Sequence, residues 1–165
     1  IKRLKGEPTV VEVIIESKPL IVVDTLIEDS YVEENELKIE IHKKINEIDS
    51  YNKLLEVKLE LEDRFGKLDD NLIIYMYEEW FEKLARDKHV ETVKETKNFI
   101  ELIFDKEYSN KIDGEKVFED AYKISRMFRF MFKNDRLIII LDILKLDKHY
   151  IYYLVELLDK ITFNT

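Results

Sequence analysis

Apolar positions along the 165-residue chain change their period several times, and each change marks a different kind of element. "TVVEVII" at 9–15 is rich in β-branched residues between Pro8 and Pro19 and predicts a strand. "PLIVV" at 19–23 predicts a second extended piece, and "DTLIEDSYVE" at 24–33 an irregular connector. Leu37, Ile41, Ile45 and Ile48 then recur at helical spacing and predict a helix over 34–48. Asp49-Ser50 offers an N-cap for a second helix, whose stripe is Leu54, Val57, Leu61 and Phe65, widened by Leu55 and Leu59. Gly66 ends it at low backbone cost. Asp69 or Asp70 caps a third helix with Ile73, Tyr77, Trp80 and Leu84 on its apolar face. Short loops predict that the three form a compact antiparallel unit.

After about Lys88 the period returns to two. "HVETVKE" and "NFIELIF" flank "TKN", a hairpin pattern. "GEKVFEDAYKI" predicts a helix started by Asp113. "RMFRFMF" and "DRLIIILDIL" meet at Asn134-Asp135, two residues that tolerate positive φ, which predicts a two-residue hairpin. "KHYIYYLVELLDKI" predicts a closing helix. The layout is α+β: a three-helix N-terminal unit packed with a small antiparallel β-rich half carrying two further helices.

Composition narrows the function classes. Hydrophobic residues make up 45% of the chain, enough for a core. There are no cysteines, which excludes disulfides, thiolate metal sites and a cysteine nucleophile and fits the cytoplasm. No window has the ~20 apolar residues of a membrane span. The first residue is Ile, as expected for a piece of a longer protein. Net charge is −9, and residues 24–70 hold 15 acids against 7 bases. Such a surface repels nucleic acid and attracts a basic protein.

Catalytic patterns are missing. Gly6, Gly66 and Gly114 lie too far apart for a phosphate-cradling loop. His42, His89 and His149 fall on separate predicted elements without ligand spacing, so no metal or catalytic residue is assigned. "RMFRFMFK" interleaves basic and aromatic residues, as base-stacking sheets do, but alternation also describes a strand burying Phe128, Phe130 and Phe132 on one face. The second reading is favoured, and no direct contact with nucleic acid is expected.

The second helix carries Glu56, Glu60, Asp63 and Lys67 opposite its apolar stripe, with Arg64 on the flank. Two readings fit: a solvated face with pairs such as Glu60–Arg64, or a docking face for a basic partner.

Residues 24–68, "DTLIEDSYVEENELKIEIHKKINEIDSYNKLLEVKLELEDRFGKL", resemble the start of the C-terminal domain of the bacterial transcription-repair coupling factor (TRCF) family. That family shows an acidic-tyrosine stretch, a helix of the "LR-E-IYKRI" type and a helix ending in "DRFG". The matching residues are Tyr31, Leu37, Lys38, Glu40, Ile41, Lys43, Lys44, Ile45, Leu61 and Asp63 to Gly66. The order of later elements is also similar. The chain departs from the family where prolines are usual, at Ile27-Glu28, Val32-Glu33 and Lys67-Leu68, and in its aromatic, acidic third helix.

The resemblance implies an autoinhibitory, protein-interaction domain of an ATP-dependent DNA translocase. That parent removes stalled RNA polymerase and recruits UvrA in nucleotide excision repair. ATP and Mg would belong to its motor domains; no cofactor is implied for this part, nor enzyme activity. Residues 1–23 would lead in from the preceding motor domain as a linker, with the regulatory domain at 24–165. The partner implied is an N-terminal UvrB-like module of the same polypeptide, met by Glu60, Asp63 and Arg64. The alternative is a free-standing acidic adaptor that binds a basic protein in trans.

Overall fold

The structure, a computed structural model, describes residues 11–14 and 27–164. The expected extended piece at 19–23 and the start of the connector at 24–26 lie outside the described residues. The chain divides into two compact units, residues 22–84 and residues 1–21 with 85–165.

The first unit is helical. After a turn-like stretch from Ile27, α1 spans Asn35–Asn46, α2 Tyr51–Phe65 and α3 Asp70–Asp87, the last running on past the unit's boundary. Helix α1 stops two residues short of expectation. Its chain tightens instead, with Glu47 N–H bonding to Lys44 O and Ile48 N–H to Ile45 O, and Ile48 is still fully buried. The orphan carbonyls at this end gain a cation: Lys83 Nζ of α3 donates to Asn46 O at 2.5 Å and Ile48 O at 2.6 Å. A second tie runs through His42 Nδ1 to the Tyr75 hydroxyl (2.9 Å) and from that hydroxyl to Asn46 Oδ1 (3.1 Å). Burial pushes the Tyr75 phenol up to about 12.

Helix α2 begins as its sequence requires, with Ser50 Oγ accepting from Lys53 N–H at 3.1 Å. Leu54, Val57 and Leu61 are buried, and Phe65 is half-buried. Leu55 and Leu59, expected to widen the buried stripe, face outward, Leu59 at 68% exposure. The apolar arc of this helix is wider than the arc its neighbours cover. Helix α3 is capped by Asp69, whose Oδ1 accepts from Leu72 N–H at 2.8 Å. Trp80 and Leu84 are buried as expected, but Ile73 and Tyr77 are only half-buried. Leu72, Tyr75, Met76, Phe81 and Ala85 fill the rest of the core face. So many positions of this helix are apolar or aromatic that periodicity alone does not select the inner ones.

The second unit is an antiparallel sheet with helices. Strands β1 (Val11–Ile14), β2 (Val90–Glu95), β3 (Phe99–Phe104), β4 (Phe128–Lys133) and β5 (Arg136–Asp142) lie in the order β1-β2-β3-β5-β4. Strand β1 lies inside the segment expected to be a linker and pairs with β2, Val13 opposite Val93. The register of β2, β3, β5 and β4 puts Val93, Leu102, Ile139 and Phe130 side by side. Val93, Ile100, Leu102, Ile139, Leu141 and Phe128 on this face are buried.

Both expected hairpins form. In the first, Thr96 Oγ1 accepts from Asn98 N–H (3.3 Å) and Phe99 N–H (3.0 Å). In the second, Asn134 and Asp135 take φ of 55° and 62°, the left-handed pair that suits strand twist. Burial along β4 falls toward that turn: Phe128 is buried, Phe130 partly, and Phe132 is 57% exposed. The expected shared burial of the three phenylalanines thus fails at Phe132, the one nearest the turn.

Helix α4 (Lys106–Ser109) is a short turn that the sequence pattern did not announce. Its Ser109 Oγ accepts from Leu137 N–H of β5 at 2.9 Å. Helix α5 (Gly114–Ile124) starts at Asp113 as expected, and α6 (Tyr150–Lys160) closes the unit with six of its eleven residues buried. Beyond α6 the chain is tied back. Lys88 Nζ donates to Ile161 O at 2.5 Å, Phe163 bridges Ile112, and Asn164 N–H reaches Lys111 O at 2.7 Å. The Phe163 ring sits edge-on to Tyr108, which stacks face to face on His89.

Candidate functional site

The predicted site residues lie on α2, and the structure treats them differently. Arg64 turns toward α1, where its guanidinium pairs with Glu40, and it lies 3.8 Å from Glu60 one turn earlier. Glu60 in turn meets Lys44 of α1 at 3.0 Å. Glu40, Arg64, Glu60 and Lys44 therefore form a ladder of alternating charge that joins α1 to α2 at the surface. Spacing within each helix does the positioning: Glu40 and Lys44 are one turn apart on α1, as are Glu60 and Arg64 on α2. The hydrogen bond from Arg64 holds the Glu40 carboxyl below its ordinary value, and Glu40 raises Arg64 reciprocally. Glu60 raises the Lys44 ammonium in the same way.

Glu56 belongs to a smaller cluster, 3.3 Å from Lys53, which also reaches Glu47 at 3.8 Å. Asp63 stands apart. It is exposed and makes no hydrogen bond or ion pair among the described residues. The four predicted residues thus lie on one helix, three in intramolecular pairs and one aimed at solvent. The expectation that Arg64 steadies Glu60 agrees with this geometry, but its nearer partner, Glu40, was not foreseen. No local spacing within α2 could reveal that contact, because it depends on how α1 packs.

The end of α2 explains the rest of the "DRFG" run. Gly66 has φ 91° and ψ −175°, a region essentially reserved for glycine. The Tyr31 hydroxyl donates to Gly66 O at 3.1 Å and lies 3.4 Å from Leu61 O, while its ring packs against Phe65. The Arg64 guanidinium covers the other ring contact, 4.8 Å from the Phe65 centroid. Burial, then the charges of Glu62 and Asp69, raise the Tyr31 phenol. Tyr31, Arg64, Phe65 and Gly66 have structural duties here. Asp63 has none visible.

An apolar stripe adjoins Asp63. Tyr51, Leu55 and Leu59 follow one another at four-residue intervals on α2, all exposed, with Asp63 next in the series. Among the described residues, no group of three or more His, Cys, Asp or Glu side chains is placed to hold a metal ion. No helix of the described residues is long and apolar enough to cross a membrane.

Fold and surface together define a small α+β domain that carries an interhelical charge ladder and, on the same helix, a carboxylate unpaired among the described residues and an exposed apolar stripe. The chain belongs to the TRCF domain family, whose model matches residues 21–115. It is similar to the transcription-repair-coupling factor of Bacillus subtilis (strain 168), 28% identical over 96 residues, which are 58% of this chain and 8% of that protein. The chain therefore spans a small fraction of that relative's length. Among solved structures it resembles the crystal structure of a C-terminal domain of transcription-repair coupling factor, with a TM-score of 0.69 and 23% identity. That likeness covers 84% of this chain and 86% of the other, and it establishes the shared fold.

Proposed function

We propose that this domain is the autoinhibitory, protein-interaction part of a transcription-repair coupling factor, whose motor translocates on DNA, displaces stalled RNA polymerase and brings UvrA to the lesion. Its docking face is α2, where Glu56, Glu60, Asp63 and Arg64 are the residues that meet a UvrB-like module of the same polypeptide. ATP and Mg serve the motor, residues 1–23 lead in from it and contribute β1 to the sheet on the way, and the whole acts in the cytoplasm.

The observation that carries this reading is that Asp63 is exposed and, among the described residues, unpaired, on the same helix as the Arg64 and Glu60 that α1 already holds in place. A charge without a partner among the described residues, beside neighbours already held in pairs, suits an arginine or lysine from another surface. Because Arg64 is engaged by Glu40, its role is to present Glu60, and the contact to a partner falls first to Asp63.

In the full-length protein, Asp63→Ala should raise both basal ATP turnover and UvrA binding, and in a pull-down against the UvrB-like module the variant should be retained less than wild type. Unchanged turnover, UvrA binding and retention would reject the assignment.

A further inference from the structure

Among the described residues, strand β4 ends the sheet and bonds only to β5. The two-residue turn makes Lys133 and Arg136 a directly bonded pair, so in an antiparallel ladder residues 133, 131 and 129 direct their backbone groups inward. The bond from Asp142 N–H to Met127 O at 3.1 Å continues that alternation. Phe128, Phe130 and Phe132 consequently turn N–H and C=O groups to the open edge, and none of these has a partner among the described residues.

Natural sheets guard such edges with charge. Here the guards are Arg129 and Lys133, both exposed, on one face of β4 with Met131 between them. Neither forms an ion pair among the described residues, although the chain as a whole carries −9. The opposite face is aromatic. Phe132 is exposed there, Phe118 and Tyr122 of α5 are exposed too, and the Phe118 ring lies 5.6 Å from Phe130.

These features select among occupants. A second copy pairing along the same edge would gather Arg129 and Lys133 of both chains on one face, like charges beside like. A polynucleotide has phosphates for the cations but lacks the regularly alternating N–H and C=O groups that match the outward amides and carbonyls of a strand. An extended peptide satisfies the main chain, and alternation lets its acids meet Arg129 and Lys133 while its apolar residues meet Phe132 and Phe118.

We propose that the open edge of β4 is a docking site for an extended acidic peptide, which adds as a further strand with acidic and apolar residues alternating. This site is separate from α2 and does not depend on the function proposed for it.

The test uses fluorescence anisotropy with the whole chain and three labelled probes: Asp-Val repeated four times, Lys-Val repeated four times, and a short oligothymidylate. The acidic peptide should bind at least ~10-fold tighter than the basic one, as charge matching against mismatch predicts. The double variant Arg129→Glu/Lys133→Glu should reverse that order while keeping its circular dichroism spectrum. Phe132→Pro removes one outward N–H and leaves the β4–β5 bonds intact; it should weaken acidic-peptide binding well beyond Phe132→Ala. Equal binding of the two peptides, or an order unchanged by the charge swap, overturns the proposal. So does tighter binding of the oligothymidylate that competes with the peptide, or concentration-dependent dimerisation lost in Phe132→Pro.

Discussion

The Tyr31 hydroxyl donates to the carbonyl of Gly66, the residue at which α2 stops. This one bond joins the connector before α1 to the far end of the next helix, thirty-five residues on. It gives the tyrosine and the glycine of the family pattern a common purpose. The backbone at Gly66 adopts a conformation that exposes its carbonyl, and Tyr31 accepts the task of satisfying it. Tyr31→Phe keeps the ring contact with Phe65 and deletes only the bond, so urea unfolding should show a loss of ~0.5–1.5 kcal/mol.

Gly66→Ala separates backbone strain from crowding. A Cβ built at this position meets nothing within 4 Å, so the whole cost comes from φ 91° with ψ −175°. The expected destabilisation is ~1–3 kcal/mol. Gly66→Asn should be no better than alanine, because asparagine eases the left-handed helical region and not this extended one. A full recovery with asparagine in thermal unfolding would contradict the assignment.

Asp63 and Arg64 should separate in stability measurements. Asp63→Ala removes no contact among the described residues and should leave the unfolding midpoint within ~0.5 kcal/mol of wild type. Arg64→Lys keeps the charge but loses the planar fork that reaches both Glu40 and Glu60. Its effect should be a measurable drop in stability at low salt that shrinks as salt is added, since all three groups are solvent-screened.

The acid limb of stability should carry the mark of His149. Its Nδ1 accepts from Ile151 N–H at 3.1 Å and so caps α6 only while that nitrogen is unprotonated. Burial lowers its pKa from the ordinary 6.5, as it does for His42. The unfolded chain then binds more protons than the folded one, so this contribution is full above 6.5 and falls as pH drops from there toward the folded value. Glu95 works the other way. Burial raises its pKa above 4.5, so its share is present in acid and lost as pH rises through that higher value. His149→Asn supplies a cap that does not titrate, and it should flatten the dependence of unfolding free energy on pH just below 6.5.

Asp135→Gly should strengthen the second hairpin. Asp135 holds φ 62° at the second central position of the turn, where glycine bears no Cβ penalty. A gain of up to ~1 kcal/mol in thermal unfolding is expected.

What the sequence made legible was local. Ser50, Asp69 and Asp113 were readable as caps because a side-chain oxygen three residues before an N–H needs no knowledge of the rest of the fold. Asn134-Asp135 was readable for the same reason. What escaped was tertiary. The outward turn of Leu59 depends on which arc of α2 its neighbours cover, the inner face of α3 on choices among many apolar residues, and the pairing of Arg64 with Glu40 on how two helices meet. Short α4 escaped because four residues give no period to detect. At the candidate site, the side chains that pattern and resemblance single out share one helix, as periodicity requires, whereas which of them are paired depends on α1 and was not readable.

The segment after α6 behaves as a clamp and not as a fringe. Because Phe163 completes a ring cluster with Tyr108 and His89, and Ile161 anchors Lys88, a lesion near the carboxyl end should be felt at the junction where β2 begins, some seventy residues upstream. Fusion partners or tags placed directly behind Phe163 would disturb that knot, and a spacer ahead of them would spare it.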